Sequence, residues 1–129
     1  HTTGNHTYDH VNGWKTGNND YLKNIERAGR QIRSRLFRPP YGRIKFSQVR
    51  KLRKTNPFRK IYMWDILSAD FDKNISPQQC LENVLNHIQP GSIIVFHDSE
   101  KAWERMSYAL PQVLAYCQQQ NWAMKALPK

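Results

Sequence analysis

Apolar residues recur at three- and four-residue spacing in four stretches of the chain, and shorter runs without that period lie between them. Tyr21, Leu22, Ile25, Ala28, Gly29, Ile32 and Leu36 outline an amphipathic helix over roughly residues 19–35, with Asn18 or Asn19 as its N-cap. Leu36-Phe37-Arg38 reads as a short strand that stops at Pro39-Pro40, a pair that can neither donate to a ladder nor continue a helix. Phe46, Val49 and Leu52 space a second helix that ends before Pro57. Lys60 to Leu67 is β-branched and aromatic enough to be one strand. Ser76-Pro77 opens a third helix with Leu81, Val84, Leu85 and Ile88 inward, and Pro90-Gly91 breaks it. Ser92 to Phe96 is nearly continuous in apolar character, the pattern of a parallel strand buried on both faces. Trp103, Met106, Leu110, Val113, Leu114 and Cys117 mark a fourth helix, with Pro111 as a site for a kink, and Trp122 to Leu127 a last short strand.

Strand and helix thus alternate about four times without an internal repeat, which predicts one α/β domain over residues 1–129, with parallel strands and helices outside. An open doubly wound sheet fits this length. A closed eightfold barrel does not, because that fold needs about 200 residues or more, so a barrel here would be partial. No apolar run approaches the ~20 residues of a membrane-spanning helix, and no span is expected. The chain opens His-Thr-Thr-Gly-Asn with no apolar leader, which reads as the interior of a longer polypeptide. Cys80 and Cys117 lie far apart without paired spacing, so buried thiols are expected rather than a disulfide or a metal site.

Charge changes the picture in one half only. The chain carries 20 lysines and arginines against 10 acids, yet residues 1–60 hold 15 of the basic residues and only Asp9, Asp20 and Glu26. Between Arg27 and Lys60 there are 13 basic residues and no acid. Such a run raises the question of a nucleic-acid or anionic-surface partner. These charges fall between apolar positions at helical spacing, as on the solvated faces of two helices. No interleaved aromatic series accompanies them, and no specific nucleic acid is expected.

In parallel α/β folds, reactive groups sit just past the C-terminal ends of strands. Those positions here hold His6 and His10, Arg38 with Pro39-Pro40-Tyr41-Gly42, Asp65 and Asp70, and His97 with Asp98. Two histidines four apart would share one side of a helical turn, within reach of one metal ion. By themselves the same residues also fit surface histidines, an ion-pair anchor, loop carboxylates and a helix cap.

Four short segments then carry a resemblance. His6-Thr7-Tyr8-Asp9-His10 resembles the H-[ST]-x-x-H motif of the polysaccharide deacetylases, the esterase family that includes chitin, chitooligosaccharide and peptidoglycan deacetylases. Arg38-Pro39-Pro40-Tyr41-Gly42 is similar to its R-x-P-[FY]-G motif, Trp64 to Phe71 to the motif ending D-x-x-D-W, and Val95-Phe96-His97-Asp98 to L-x-H-D. The four stand in the family's order and span positions 6 to 98.

The resemblance implies a metal-dependent N- or O-deacetylase acting on an acetylated glycan, built on a distorted, incomplete β/α barrel. It implies His6 and His10 as metal ligands, for Zn²⁺ first and Co²⁺ or Ni²⁺ otherwise. Arg38 would orient a catalytic aspartate, His97 would be the general acid, and Asp70 would tune it by pairing with the imidazole. Pro40, Tyr41, Phe71 and Val95 would line the substrate, with backbone near Tyr41 on the oxyanion. Cell-envelope or extracellular action is implied by the family alone. Leu67, Phe71 and Val95 depart from its pattern, and Asp65, two residues before Leu67, is a substitute for some of the lost charge. The family's T-F-D-D-G motif, which brings the base and a third ligand, has no counterpart, because the chain contains no Asp-Asp pair. This predicts an N-terminally truncated domain, with self-association or a complementing N-terminal segment. Two other functions compete: a non-catalytic carbohydrate- or anion-binding module, and a metal amidohydrolase for a small non-sugar amide.

Overall fold

The structure is a computed structural model that describes residues 1–128. The chain forms two compact units, one of residues His1–Met63 with the end of the chain from Ala126, the other Trp64–Lys125.

In the first unit, helix α1 (Asn18–Gln31) turns Tyr21, Ile25 and Ala28 inward, the stripe that its spacing predicts. Its N-cap is Gly17, with no side-chain bond, rather than Asn18 or Asn19. The helix stops at Gln31, earlier than the periodicity suggests, because Leu36 belongs to strand β1 (Leu36–Phe37). Ser34 turns the chain there by accepting the Leu36 N–H at 3.1 Å. Strand β1 pairs in parallel with β2 (Lys60–Ile61), and Asn5 makes an isolated parallel bridge to Phe37. Between β1 and β2 lies helix α2 (Phe46–Thr55), as a parallel connection requires. Tyr21, Ile25, Phe37 and Leu52 form the core, flanked by Val11, Leu22, Ile44 and Ile61. Burying each large side chain contributes roughly 1.5–3 kcal/mol.

The apolar spacing of α2 misleads at its first turn. Phe46 is 94% exposed, and Gln48 is fully buried in its place. The buried amide is satisfied on both sides: its oxygen accepts from Lys45 N at 2.9 Å, and its nitrogen donates to Gly13 O at 2.9 Å and Thr16 O at 3.2 Å. Gln48 therefore ties α2 to a 3₁₀ turn at Gly13–Lys15.

In the second unit, β3 (Ile66–Leu67) pairs in parallel with β4 (Ile94–Val95), and helix α3 (Pro77–Leu85) connects them. Ser76 caps α3 by accepting the Gln79 N–H at 3.1 Å, as its Ser-Pro start predicts. Helix α4 (Glu100–Gln119) runs unbroken through Pro111. Its buried positions are Ala102, Arg105, Ala109, Val113 and Cys117, while Trp103 and Leu114 of the expected apolar face are exposed. The core joins Ile66, Cys80, Leu81, Val84, Ala109, Val113 and Cys117, and both cysteines are buried free thiols.

Three expected strands change. Residues 60–67 are not one strand, because their backbone serves two ladders: Tyr62 N donates to Phe37 O, whereas Asp65 N and Ile66 N donate to Ile93 O. Within residues 92–96 only Val95 is buried, because β4 has one partner strand among the described residues. Residues 122–128 form no strand. Trp122 instead closes the end of α4, its N–H on Cys117 O at 2.9 Å and its ring edge-on to Tyr116. Among the described residues no helix is long and apolar enough to cross a membrane.

Asp65 precedes β3, so it lies at the N-terminal end of that ladder, opposite the end that leads to Asp70 and His97. There its carboxylate accepts the Ile93 N–H at 2.6 Å, and this bond, helped by Ser92, holds its pKa below the ordinary 3.8. Asp65 is a strand-end clasp and does not restore charge at the other end. A carboxyl whose folded pKa is lowered stabilises the fold above the unfolded pKa and loses that contribution as pH falls through the lowered value. Asp65→Asn is therefore expected to be less stable than wild type at neutral pH, with the difference shrinking below pH 3.8, as urea denaturation across pH will measure.

Gly13 has no room for a side chain. A Cβ there would stand 2.3 Å from Arg43 O and 2.8 Å from the Gln48 side-chain oxygen. Gly13→Ala is expected to cost at least about 1–3 kcal/mol in denaturant-unfolding measurements, since a backbone oxygen cannot move aside as a side chain can.

Candidate active site

The first cluster is built on the loop after the Asn5 bridge. Asn5 N donates to Leu36 O at 2.8 Å and Arg38 N to Asn5 O at 3.0 Å, so the chain runs beside β1 until His6. It then leaves extended geometry abruptly. Thr7 has φ +62° and His10 φ +52°, left-handed backbone that costs such residues about 1–3 kcal/mol each. Side chains hold it there. The buried Asn5 accepts from Thr7 N at 3.0 Å, Thr7 Oγ1 accepts from Val11 N at 3.2 Å, and Asn24 of α1 accepts from Tyr8 N and Asp9 N at 2.7 and 2.9 Å.

His6 and His10 are consequently neighbours, with ring centroids 5.0 Å apart. The expected helical turn does not bring them together. No helix forms at residues 6–10, and the left-handed turns do the work instead. His6 Nδ1 bonds the Arg38 carbonyl oxygen at 2.5 Å. A carbonyl can only accept, so Nδ1 donates, and in the neutral ring Nε2 is the unprotonated nitrogen. This is the tautomer that ligation through Nε2 would need.

Arg38 ends β1, and the buried Pro39 and Pro40 lead into a 3₁₀ turn, Pro40–Gly42. Tyr41 sits at φ +57° with its ring exposed and 4.7 Å from that of His10. The Tyr41 N–H makes no backbone hydrogen bond among the described residues. Burial pulls the Arg38 guanidinium below its usual pKa, yet a guanidinium stays charged at neutral pH.

The second cluster lies past β3 and β4. Asp70 is fully buried, and His97 takes both its oxygens: the ring Nδ1 at 2.7 Å and the backbone N–H at 2.6 Å. The two-point grip fixes the imidazole and leaves Nε2 as its exchanging atom, on a side chain 37% exposed. Ala69, at φ +59°, turns Asp70 toward this partner, and Phe71 packs edge-on against the His97 ring at 5.0 Å. Val95 is buried in β4, and its carbonyl accepts Ser68 Oγ at 2.8 Å. Asp98 is exposed beyond His97.

Arg105 completes this cluster and has no counterpart in the sequence reading. Its Nε donates to Asp70 O at 2.8 Å and its Nη2 to Lys101 O at 2.6 Å, from a side chain only 5% exposed. It clamps the backbone that carries Asp70. The available signal was a charge at an inward position of α4, in register with Ala102 and Ala109.

His6, His10, Arg38, Pro40 and Tyr41 thus belong to the first unit, and Asp70, Phe71, Val95 and His97 to the second. Among the described residues, no three His, Cys, Asp or Glu side chains group to hold a metal ion.

No family model matches the chain. It is similar to a peptidoglycan-N-acetylglucosamine deacetylase of Bacillus cereus, 33% identical over 106 residues, covering 77% of this chain and 37% of that protein. Among solved structures it resembles a peptidoglycan N-acetylglucosamine deacetylase in complex with 4-naphthalen-1-yl-N-oxidanyl-benzamide, with TM-score 0.83, 26% identity, and coverage of 99% of this chain and 62% of the other. A mutant of a CE4 family pseudoenzyme with restored enzymatic activity aligns at TM-score 0.70 and 26% identity, over 92% and 43% of the two chains. The family 4 carbohydrate esterase from Streptomyces lividans, in complex with acetate, shares the fold at TM-score 0.79 and 21% identity, over 98% and 66%. The chain thus spans about a third of the length of the curated relative.

The His6 tautomer is directly measurable. Long-range ¹⁵N–¹H NMR of the neutral ring is expected to find the proton on Nδ1 rather than on Nε2. An Nε2–H tautomer would contradict the Arg38 carbonyl bond.

Proposed function

Since the chain belongs to the polysaccharide deacetylase family, we propose that it carries the histidine and acid groups of a metal-dependent hydrolase that removes acetyl groups from an N-acetylglucosamine-type or otherwise acetylated glycan. The observation that carries this reading is the Asp70–His97 pair, a partly exposed imidazole gripped twice by a fully buried carboxylate. Such an imidazole delivers a proton from Nε2 to a leaving amine or alcohol without reorienting. Arg105 would keep the carboxylate's backbone in place, and Phe71 would form an apolar wall beside the ring.

In the first unit, the imidazoles of His6 and His10, neighbours in space and of the donor type these ions take, suit Zn²⁺, with Co²⁺ or Ni²⁺ as alternatives. They supply two of the three protein ligands that catalytic zinc sites use. A bound ion of this kind polarises an acyl carbonyl and acidifies water. The third ligand and the base would be a carboxylate from a complementing segment, since the chain has no Asp-Asp pair. Arg38 would orient that carboxylate, and the open Tyr41 N–H, held by its left-handed turn after Pro40, would donate to the oxyanion. The frame for these groups is read as part of an incomplete β/α barrel.

The two-ligand set also favours a second reading, a non-catalytic carbohydrate-binding module on the same fold. Acetate release separates the two, measured on chitooligosaccharides and on acetylated xylan with the complementing segment present.

His6→Ala and His10→Ala are each expected to lower Zn²⁺ affinity at least about tenfold by calorimetric titration, the scale on which even supporting residues act. Wild-type affinity in both variants would remove the metal assignment. In the acetate-releasing assembly, His97→Ala is expected to lower kcat by roughly 10²–10⁴ with metal content unchanged, and an unaltered kcat would remove the acid assignment.

A further inference from the structure

We infer that the glycan taken by the histidine cluster is anionic, with carboxylate or phosphate groups on the units next to the acetylated one. This rests on the functional reading above. It comes from a feature invisible in the sequence, where no aromatic series accompanies the basic run. The fold pairs aromatic and basic residues that are distant along the chain. Arg27 of α1 lies over the Tyr8 ring at 3.6 Å, and Arg43 lies over the Trp14 ring at 4.6 Å. Tyr8 and Trp14 are 41% and 57% exposed, and both arginines are exposed.

Both stacks are anchored on the loops of the histidine cluster. Tyr8 stands between His6 and His10. Arg43 lies two residues past Tyr41, whose ring packs on His10, and Arg43 O accepts from Gly13 N at 3.1 Å beside Trp14. A guanidinium resting on a ring loses less freedom on binding, and its edge remains open for a two-point bond to a carboxylate or phosphate. Arg43 has no acidic partner among the described residues. Arg27 has among the described residues only Asp9, at 3.6 Å, in an exposed pair of the kind worth little. Both cations are thus available to a ligand. The exposed Tyr41 ring, packed on His10, offers a flat surface for the C–H face of a sugar.

A polynucleotide fits less well. Bases need free ring faces for stacking, and here guanidinium groups cover a face of Tyr8 and of Trp14. A third stack, Arg35 over Phe58 at 5.4 Å, stands before β1, at the strand end away from the histidine loop, and serves as a control.

The test is calorimetric binding of the full chain to four probes. They are neutral chitotetraose, a tetrasaccharide alternating N-acetylglucosamine with glucuronate, a phosphodiester-linked N-acetylglucosamine oligomer, and a single-stranded oligonucleotide of matched charge. At least one anionic glycan is expected to bind about tenfold or more tighter than chitotetraose, and which one identifies the anion. Arg43→Gln and Arg27→Gln are each expected to abolish most of that preference, while Arg35→Gln leaves it intact. Arg43→Lys, which keeps the charge without the planar edge, is expected to recover it only in part. Equal binding of neutral and anionic glycans would overturn the proposal. So would an equal loss in Arg35→Gln, which would signal diffuse electrostatics, or tighter binding of the oligonucleotide. Acetate release is measured separately, so a chain that prefers anionic glycans yet never supports deacetylation would sink the catalytic reading alone.

Discussion

Left-handed backbone at residues other than glycine is the constraint on which both clusters depend. Thr7, His10, Tyr41 and Ala69 all have φ between +52° and +62°, and each lies within a few residues of an extended segment. At about 1–3 kcal/mol apiece, such turns persist only where their surroundings over-determine them. In the His6–His10 loop, Asn5, Thr7 and Asn24 together accept four backbone N–H groups. At roughly 0.5–1.5 kcal/mol each, those bonds are of a size to offset two strained residues. The outcome is an abrupt turn that sets side chains at the strand ends with little freedom.

The two clusters use this constraint for different chemistry. In the first unit the backbone does the positioning: the Arg38 carbonyl fixes which His6 nitrogen donates, and the Tyr41 turn leaves an N–H without a backbone bond among the described residues. In the second unit a buried charge does it. A carboxylate with no access to water needs partners, and Asp70 finds both in His97. The imidazole is thereby oriented without any contact to its exposed Nε2. Arg105, from α4, clamps the same segment through the Asp70 carbonyl.

The charge imbalance acquires meaning in the same way. Seven of the 15 basic residues in positions 1–60 lie on α1 and α2, all of them solvent-exposed, as their spacing implies. Arg27 and Arg43 differ because the fold sets a ring beneath each, on the loops of the histidine cluster. A basic run by itself says only that anions are attracted. The stacked arginines add a place and a geometry.

Periodicity and punctuation alone determined the α/β class, the four helices to within a few residues, the parallel β1 segment and the Ser76 cap. These depend on local spacing, which a linear chain displays. The candidate residues were legible too, because chemistry at strand ends takes short motifs. Only the tertiary structure decided how residues 60–67 divide between two ladders, since strand pairing depends on partners far along the chain. It decided that Gln48 is buried and Phe46 exposed, because two distant carbonyls satisfy the amide. It decided that Asp65 clasps the wrong strand end for catalysis, and that Arg105 lies beneath Asp70. Burial and hydrogen bonding between distant residues leave no local period, and those interactions separate a list of reactive side chains from an arrangement of them.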